Sequence, residues 1–241
     1  MLKIGITGGM GAGKSTISRL FKEKHGIPVY DSDSEVKRLL NSNYDLRALV
    51  TNLLGPTAYF GKHDNSINKE YIASKIFEDS SLRKKMQDII RPFLWEDFEF
   101  WCNDEKDNGA PYVIFESAIL IESELTDEFD KIIVVMADED IRIKRLTEKR
   151  NVDEDEAKRR LLTQTTDAKR LEKADFIIRN DKNLIHTPDS HWEDFIKESE
   201  EYNVRGIHGV IQKRNEIIAE RIAQIDHKIK YISYGSTVNK G

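Results

Sequence analysis

"GITGGMGAGKST", Gly5 to Thr16, is the stretch on which the reading of this chain turns. Inside it Gly8, Gly13, Lys14 and Ser15 satisfy G-x-x-x-x-G-K-[ST], the phosphate-binding loop pattern. Backbone N–H groups converge on a phosphate only where side chains do not intrude, and Gly8, Gly9, Gly11 and Gly13 remove them. Lys14 adds a mobile cation for the β- and γ-phosphates, the Ser15 hydroxyl suits Mg²⁺, and the positive end of a following helix favours the anion. The pattern requires a strand before it and a helix after it. "LKIGIT" supplies a short buried run, and "KSTISRLFKEK" sets Ile17, Leu20 and Phe21 on one helical stripe. Strand, glycine loop and helix together predict nucleotide binding.

Working outward, strand-like runs recur at "GIPVYD" (Gly26 to Asp31), "PYVIFE" (Pro111 to Glu116), "KIIVVM" (Lys131 to Met136) and "DFIIR" (Asp175 to Arg179), with helical stretches between. Near-continuous apolar strands alternating with helices predict an α/β fold with a parallel sheet of about five strands covered on both faces. From Ser34 to Lys106 the patterns are helical, including "LRKKMQDIIRPFLWEDFEFWCN", for which a bend near Pro92 is expected. This is a helical insertion after the second strand. A charged stretch, 138–173, suits either a mobile lid or an ordinary pair of surface helices, and charge pattern alone favours the surface helices.

The 241 residues fit one α/β domain with insertions or two small domains, of which one domain is the expectation. Lys+Arg 38 against Asp+Glu 43 leaves a formal charge of -5, which offers no basic field to a nucleic-acid backbone, so no nucleic-acid partner is expected. The single Cys102 excludes an intramolecular disulfide framework, and no metal-ligand spacing surrounds it. With no signal-like opening and no apolar run of transmembrane length, the expectation is a soluble cytoplasmic protein without membrane contact.

Phosphate-loop proteins divide mainly into small-molecule kinases, GTPase switches and ATP-driven motors. A guanine-reading N-K-x-D is absent, against the switch. Motors place an acid pair at a strand end, whereas "VIFESA" offers Glu116 alone, which suits a kinase that must exclude water. A phosphotransferase also needs a group to take the proton of the attacking hydroxyl. "VYDSDSEVKRLL" places Asp31 and Asp33 directly after the second strand, at the carboxyl edge where parallel sheets bind ligands. Each is equally readable as a helix N-cap or as a chemical group.

These features together resemble the dephospho-CoA kinase family from Met1 to about Asp181. The resemblance lies in "ITGGMGAGKST", "VYDSDSEVKR", "INKEYIASKIF" with "DIIRPFL", "ESAILIE", "VVMADEDIRIKRLTEKR", "LLTQ" and "ADFIIRND", and in their order. It implies a phosphate-loop kinase fold over 1–181: a core of 1–33 and 110–181, a helical CoA-binding insertion over about 34–106, and a lid over about 138–173. It implies transfer of the ATP γ-phosphate to the ribose 3′-hydroxyl of dephospho-CoA, with ATP held by Gly9, Gly11, Ala12, Gly13, Lys14, Ser15 and Thr16. Mg²⁺ is then expected at Ser15 and Asp33, with Asp33 as general base and Lys14 and Arg145 as catalytic cations. Gln164 and Asn180 match positions near the nucleotide or lid, and both are equally readable as plain surface or turn residues. The chain departs from the family pattern at Arg91, where a His precedes Pro, at Ala118 in place of a proline, and at Lys37 in place of an arginine. Another small-molecule kinase or a regulatory ATP-binding protein are the alternatives.

The stretch 182–241 reads as a helical C-terminal extension. Ile211, Ile218, Ile222, Ile225, Ile229 and Ile232 form an apolar stripe at helical spacing. A helix docked on its own core is the favoured reading and a coiled coil between subunits the alternative, so the expected state is a monomer or small homo-oligomer.

Overall fold

A computed structural model of the protein describes residues 1–61, 66–123, 125–150, 152–181 and 218–230. Five strands form one sheet: β1 (Leu2–Gly8), β2 (Val29–Asp31), β3 (Tyr112–Glu116), β4 (Lys131–Met136) and β5 (Phe176–Arg179), in the order β2-β3-β1-β4-β5. β1 runs parallel to both β3 and β4, and β4 parallel to β5. Parallel strands covered on both faces have no solvent side, which explains why β3 is buried at every position and β4 at its four central ones.

The chain divides into two compact units, one of residues 1–29 with 110–241 and the other of 30–109. In the first, the phosphate loop joins β1 to α1 (Lys14–His25), and the 138–173 stretch folds as α6 (Glu139–Arg150), α7 (Glu154–Leu162) and α8 (Asp167–Glu172). Ile4 and Ile6 of β1, Ile17 and Phe21 of α1, Ile114, Ile133, Val135 and Ile178 share one core cluster.

Ile218, Ile222, Ile225 and Ile229 belong to that same cluster. Their helix, 218–230, therefore lies on its own unit's core, as the favoured reading of the stripe expects; Ile211 and Ile232 fall outside the described residues. Burying four isoleucines is worth about 6–12 kcal/mol gross at 1.5–3 kcal/mol each. That is comparable with the ~5–15 kcal/mol net stability of a whole domain, so the helix is part of the fold and not an appendage to it. Asp226 on this helix is buried and accepts from the Tyr112 hydroxyl at 2.7 Å, with Lys230 Nζ at 3.0 Å and His25 Nδ1 at 3.5 Å.

The second unit is helical: α2 (Ser32–Ser42), α3 (Tyr44–Leu54), α4 (Lys69–Glu78) and α5 (Ser80–Asp107). Short polar side chains start these helices, with Asn43, Asn68 and Asp79 each accepting a first-turn N–H. Leu46, Val50 and Leu54 of α3, spaced by four, are buried, as are Met86, Leu94, Phe98 and Cys102 of α5. α5 continues through Pro92 as one helix.

Candidate phosphate-binding and acceptor sites

The loop from Gly8 to Lys14 is shaped by glycines and held by side chains from elsewhere in its own unit. Gly13, the N-cap of α1, has φ 95°, the left-handed region that a residue with a Cβ adopts only under strain. A Cβ at Gly13 would also run into the amide nitrogen of Asn180. At Gly9 the guanidinium of Arg142 occupies the space a Cβ would fill. Glycine is thus required once by conformation and once by close approach.

Four side chains take up the loop's main-chain polar groups. Met10 N–H donates to Gln164 Oε1 at 2.8 Å, and Arg142 Nε donates to the Met10 carbonyl at 3.0 Å. Arg145 Nη1 donates to the carbonyls of Gly11 and Ala12 at 3.0 and 3.2 Å, while its Nη2 donates to Asn180 O at 2.6 Å. Asn180 Nδ2 donates to Ala12 O at 2.8 Å, and its Oδ1 is buried without a partner among the described residues. These bonds satisfy the carbonyls of Met10, Gly11 and Ala12, while Ala12 N–H donates to Gly9 O at 3.0 Å within the loop.

Lys14 Nζ rests on the Gly8 carbonyl at 2.9 Å, and the Ser15 hydroxyl donates to Glu116 Oε1 at 2.7 Å. The β1–β3 register explains the second contact, since Glu116 ends β3 opposite Ile6, two residues short of the loop. Hydroxyl and carboxylate are hard oxygen donors of the kind that hold Mg²⁺, which takes one or two carboxylates and fills the rest of its octahedron with water and phosphate oxygens. No cluster of three acidic, histidine or cysteine ligands occurs among the described residues.

Arg142 is buried to 7% exposure, and burial lowers its pKa against the opposing pull of Asp167, whose carboxylate lies 3.3 Å away. Asp167 also accepts from Arg170 Nη1 at 2.8 Å, and Glu122 accepts from Thr165 N–H at 3.1 Å. Ile143 and Leu146 of α6 pack with Ala157 of α7, and Met10 lies against them. The 138–173 stretch is therefore engaged with the loop, where charge pattern alone favoured ordinary surface helices.

In the second unit the two acids after β2 have separate positions. Asp31 is the N-cap of α2: its Oδ1 accepts from Asp33 N and Ser34 N at 3.2 and 3.3 Å, and its Oδ2 from Ser34 Oγ at 2.7 Å. Asp33 sits in the first turn of α2 with an exposed side chain, and its carboxylate has no hydrogen bond or ion pair among the described residues. Capping thus falls to Asp31 and not to Asp33.

The family model for dephospho-CoA kinase matches residues 2–186. A dephospho-CoA kinase from Bacteroides fragilis is 37% identical over 180 residues, which span 75% of this chain and 85% of that protein. One from Salinibacter ruber is 31% identical over 184 residues, 76% and 91% of the two chains. The chain belongs to the dephospho-CoA kinase family. Among solved structures, TT1252 from Thermus thermophilus superposes with TM-score 0.63 at 21% identity over 85% of this chain and 98% of its own. A dephospho-CoA kinase from Campylobacter jejuni does so with TM-score 0.50 at 16% identity over 94% and 96%. Both share the phosphate-loop kinase fold.

The family's departures are placed as follows. Lys37 is exposed on α2, and Arg91 is exposed on α5 with Asp88 at 3.9 Å. Ala118 lies two residues beyond the end of β3. Sequence reasoning passed over Arg142 entirely, although Arg142 and Arg145, three apart on a helix, share a face. It noted Glu116 as a strand-end acid but named Asp33 as the carboxylate accompanying Ser15 at the metal, whereas the carboxylate bonded to Ser15 is that of Glu116.

Proposed function

We propose that the protein transfers the γ-phosphate of ATP to the ribose 3′-hydroxyl of dephospho-CoA, giving CoA and ADP, the last step of coenzyme A synthesis. The observation that carries this is membership of the dephospho-CoA kinase family over 2–186, joined to a phosphate loop whose backbone is braced from α6, the residue after β5 and the segment after α7. In the reaction the 3′-oxygen forms a bond to the γ-phosphorus, and the bond to the β–γ bridging oxygen breaks, so that ADP leaves with the electron pair. The hydroxyl proton goes to Asp33.

The side chains take the following roles in this proposal. Gly9, Gly11, Ala12, Gly13, Lys14, Ser15 and Thr16 receive the phosphates, with Lys14 exchanging the Gly8 carbonyl for β- and γ-phosphate oxygens. Arg145 brings its charge beside the loop while tying down the carbonyls of Gly11 and Ala12. Mg²⁺, which neutralises charge on the transferred group when bound, would be held by Ser15 and Glu116, and Asp33 is reserved for the acceptor proton. We place the enzyme in the cytoplasm as a monomer or small homo-oligomer. The proposal involves no nucleic-acid or membrane partner. Among the described residues no helix is long and apolar enough to cross a membrane.

The test is ADP release with a panel of acceptors, followed by identification of the phosphorylated product. Stimulation by dephospho-CoA alone supports the proposal. Stimulation by a nucleoside, nucleotide or sugar contradicts it, and acceptor-independent hydrolysis points to a regulatory ATP-binding protein.

A further inference from the structure

Asp97, on α5, collects three hydrogen bonds from two residues that flank the turn bearing Asp33. The Tyr30 hydroxyl, one residue before that turn, donates to Asp97 Oδ2 at 2.6 Å. From the far side, Arg38 Nη2 donates to Oδ1 at 2.5 Å and Oδ2 at 2.6 Å, and its Nε donates to Glu35 of the same helix. Between these anchors Asp31 caps α2, and the exposed Asp33 carboxylate, which takes no part in the cap, belongs to a turn held at both ends.

We propose that Asp97 is a positioning residue for phosphoryl transfer, fixing the 31–33 turn from both sides through Tyr30 and Arg38 so that Asp33 keeps one orientation. This rests on the reading of Asp33 as the group that takes the acceptor proton.

The chemistry of the cluster suits that purpose better than it suits stability. Tyr30 is 3% exposed, its ring packs on Phe98 and Trp101 with centroids 5.1 and 5.3 Å away, and its hydroxyl still needs an acceptor. Burial, followed by the bond to Asp97, pushes its pKa upward, so the phenol remains a donor throughout the working range. The Asp97 and Arg38 side chains, by contrast, are 25% and 50% exposed, and pairs so open to water contribute ~0–1 kcal/mol. A pair that adds so little to folding does, however, set direction, because a guanidinium fork meets a carboxylate in one planar arrangement. Anchoring α2 and the end of β2 to the same carboxylate of α5 removes the turn's freedom to hinge. A displacement of 1 Å at a reacting group costs up to ~10²-fold in rate, so a loosened turn shows in kcat well before it shows in the melting temperature.

The experiment measures kcat and both KM values for the full chain as Asp97→Asn, as Tyr30→Phe, as Asp33→Asn, and as the Asp33→Asn/Asp97→Asn double variant, with melting temperatures. The expected result is a fall in kcat of about tenfold for Asp97→Asn and somewhat less for Tyr30→Phe, which keeps the ring packing, with KM for ATP within about twofold. The double variant should be no slower than Asp33→Asn alone, because a misaligned group that has already lost its function has nothing more to lose. If Asp97→Asn fails to fold, Tyr30→Phe decides by the same criteria. Near-parental turnover of Asp33→Asn would overturn the reading of Asp33 itself. A slow Asp33→Asn alongside Asp97→Asn and Tyr30→Phe near the parent would overturn the positioning role alone, as would an unchanged Asp97 effect in the double variant.

Discussion

The phosphate loop and the 31–33 turn are both short segments at strand ends, yet they are held in opposite ways. The loop is a backbone site: Arg142, Arg145, Asn180 and Gln164 bind its main chain, and glycines keep its own side chains out of the way. The turn is a side-chain site, in which Asp31 ties its own backbone and Tyr30 and Arg38 reach a single carboxylate on α5. A polyphosphate is a large anion met by many N–H groups, so its site needs a shaped main chain. A proton acceptor is one carboxylate whose direction matters, so its site needs a braced side chain.

Lys14→Ala separates charge from shape in the loop. It should lower kcat by ~10³-fold or more, since a group aimed at transferred charge is worth at least as much as one oxyanion donor, while the melting temperature stays within a few degrees. Normal turnover in the folded variant would remove the phosphate-loop assignment. Ile222→Ala tests whether the loop is carried by a core that includes the 218–230 helix. Ile222 is fully buried among β1 and α1 residues, so its truncation should cost ~2–5 kcal/mol in denaturant unfolding and leave kcat nearly unchanged. A stability change below ~0.5 kcal/mol, the range of ordinary surface substitutions, would contradict the docking of that helix.

Gly13→Ala should act on ATP rather than on the acceptor. The left-handed backbone makes it cost ~1–2 kcal/mol, and the new Cβ displaces Asn180, so KM for ATP should rise about tenfold with KM for dephospho-CoA little changed. Equal effects on both substrates would blur the division between the two segments. Asp31→Asn should be the mildest, because Asn caps a helix as well as Asp; rate and melting temperature should remain close to the parent. A large loss of rate with unaltered stability would give Asp31 a chemical role.

How far the sequence could be read follows from the same contrast. The strand reading at Lys131 to Met136 coincides with β4, because an apolar run bounded by charge leaves little choice of register. The loop was legible because glycine spacing is local information. The partner of Ser15 was not, since Glu116 is 101 residues away and only the parallel pairing of β1 with β3 brings them together. Arg142 was hidden in a run of charges: a buried arginine whose main acceptor is the Met10 carbonyl leaves no pattern in the sequence. Asp31 and Asp33 were inseparable by pattern alone, and only the family resemblance told them apart. Which of two acids caps a helix depends on the residue at which the helix begins, and boundaries one or two residues apart are beyond what periodicity resolves.

That pair of acids gives the most direct test of the account, which holds that one carboxylate builds the turn and the other does the chemistry. Asp33→Asn and Asp31→Asn should be assayed side by side at saturating ATP, Mg²⁺ and dephospho-CoA, with melting temperatures recorded. The account predicts that Asp33→Asn loses ~10²–10⁴-fold in kcat at an unchanged melting temperature while Asp31→Asn stays within about threefold of the parent. A folded Asp33→Asn enzyme within about threefold of the parent, well short of the general-base range, would contradict it.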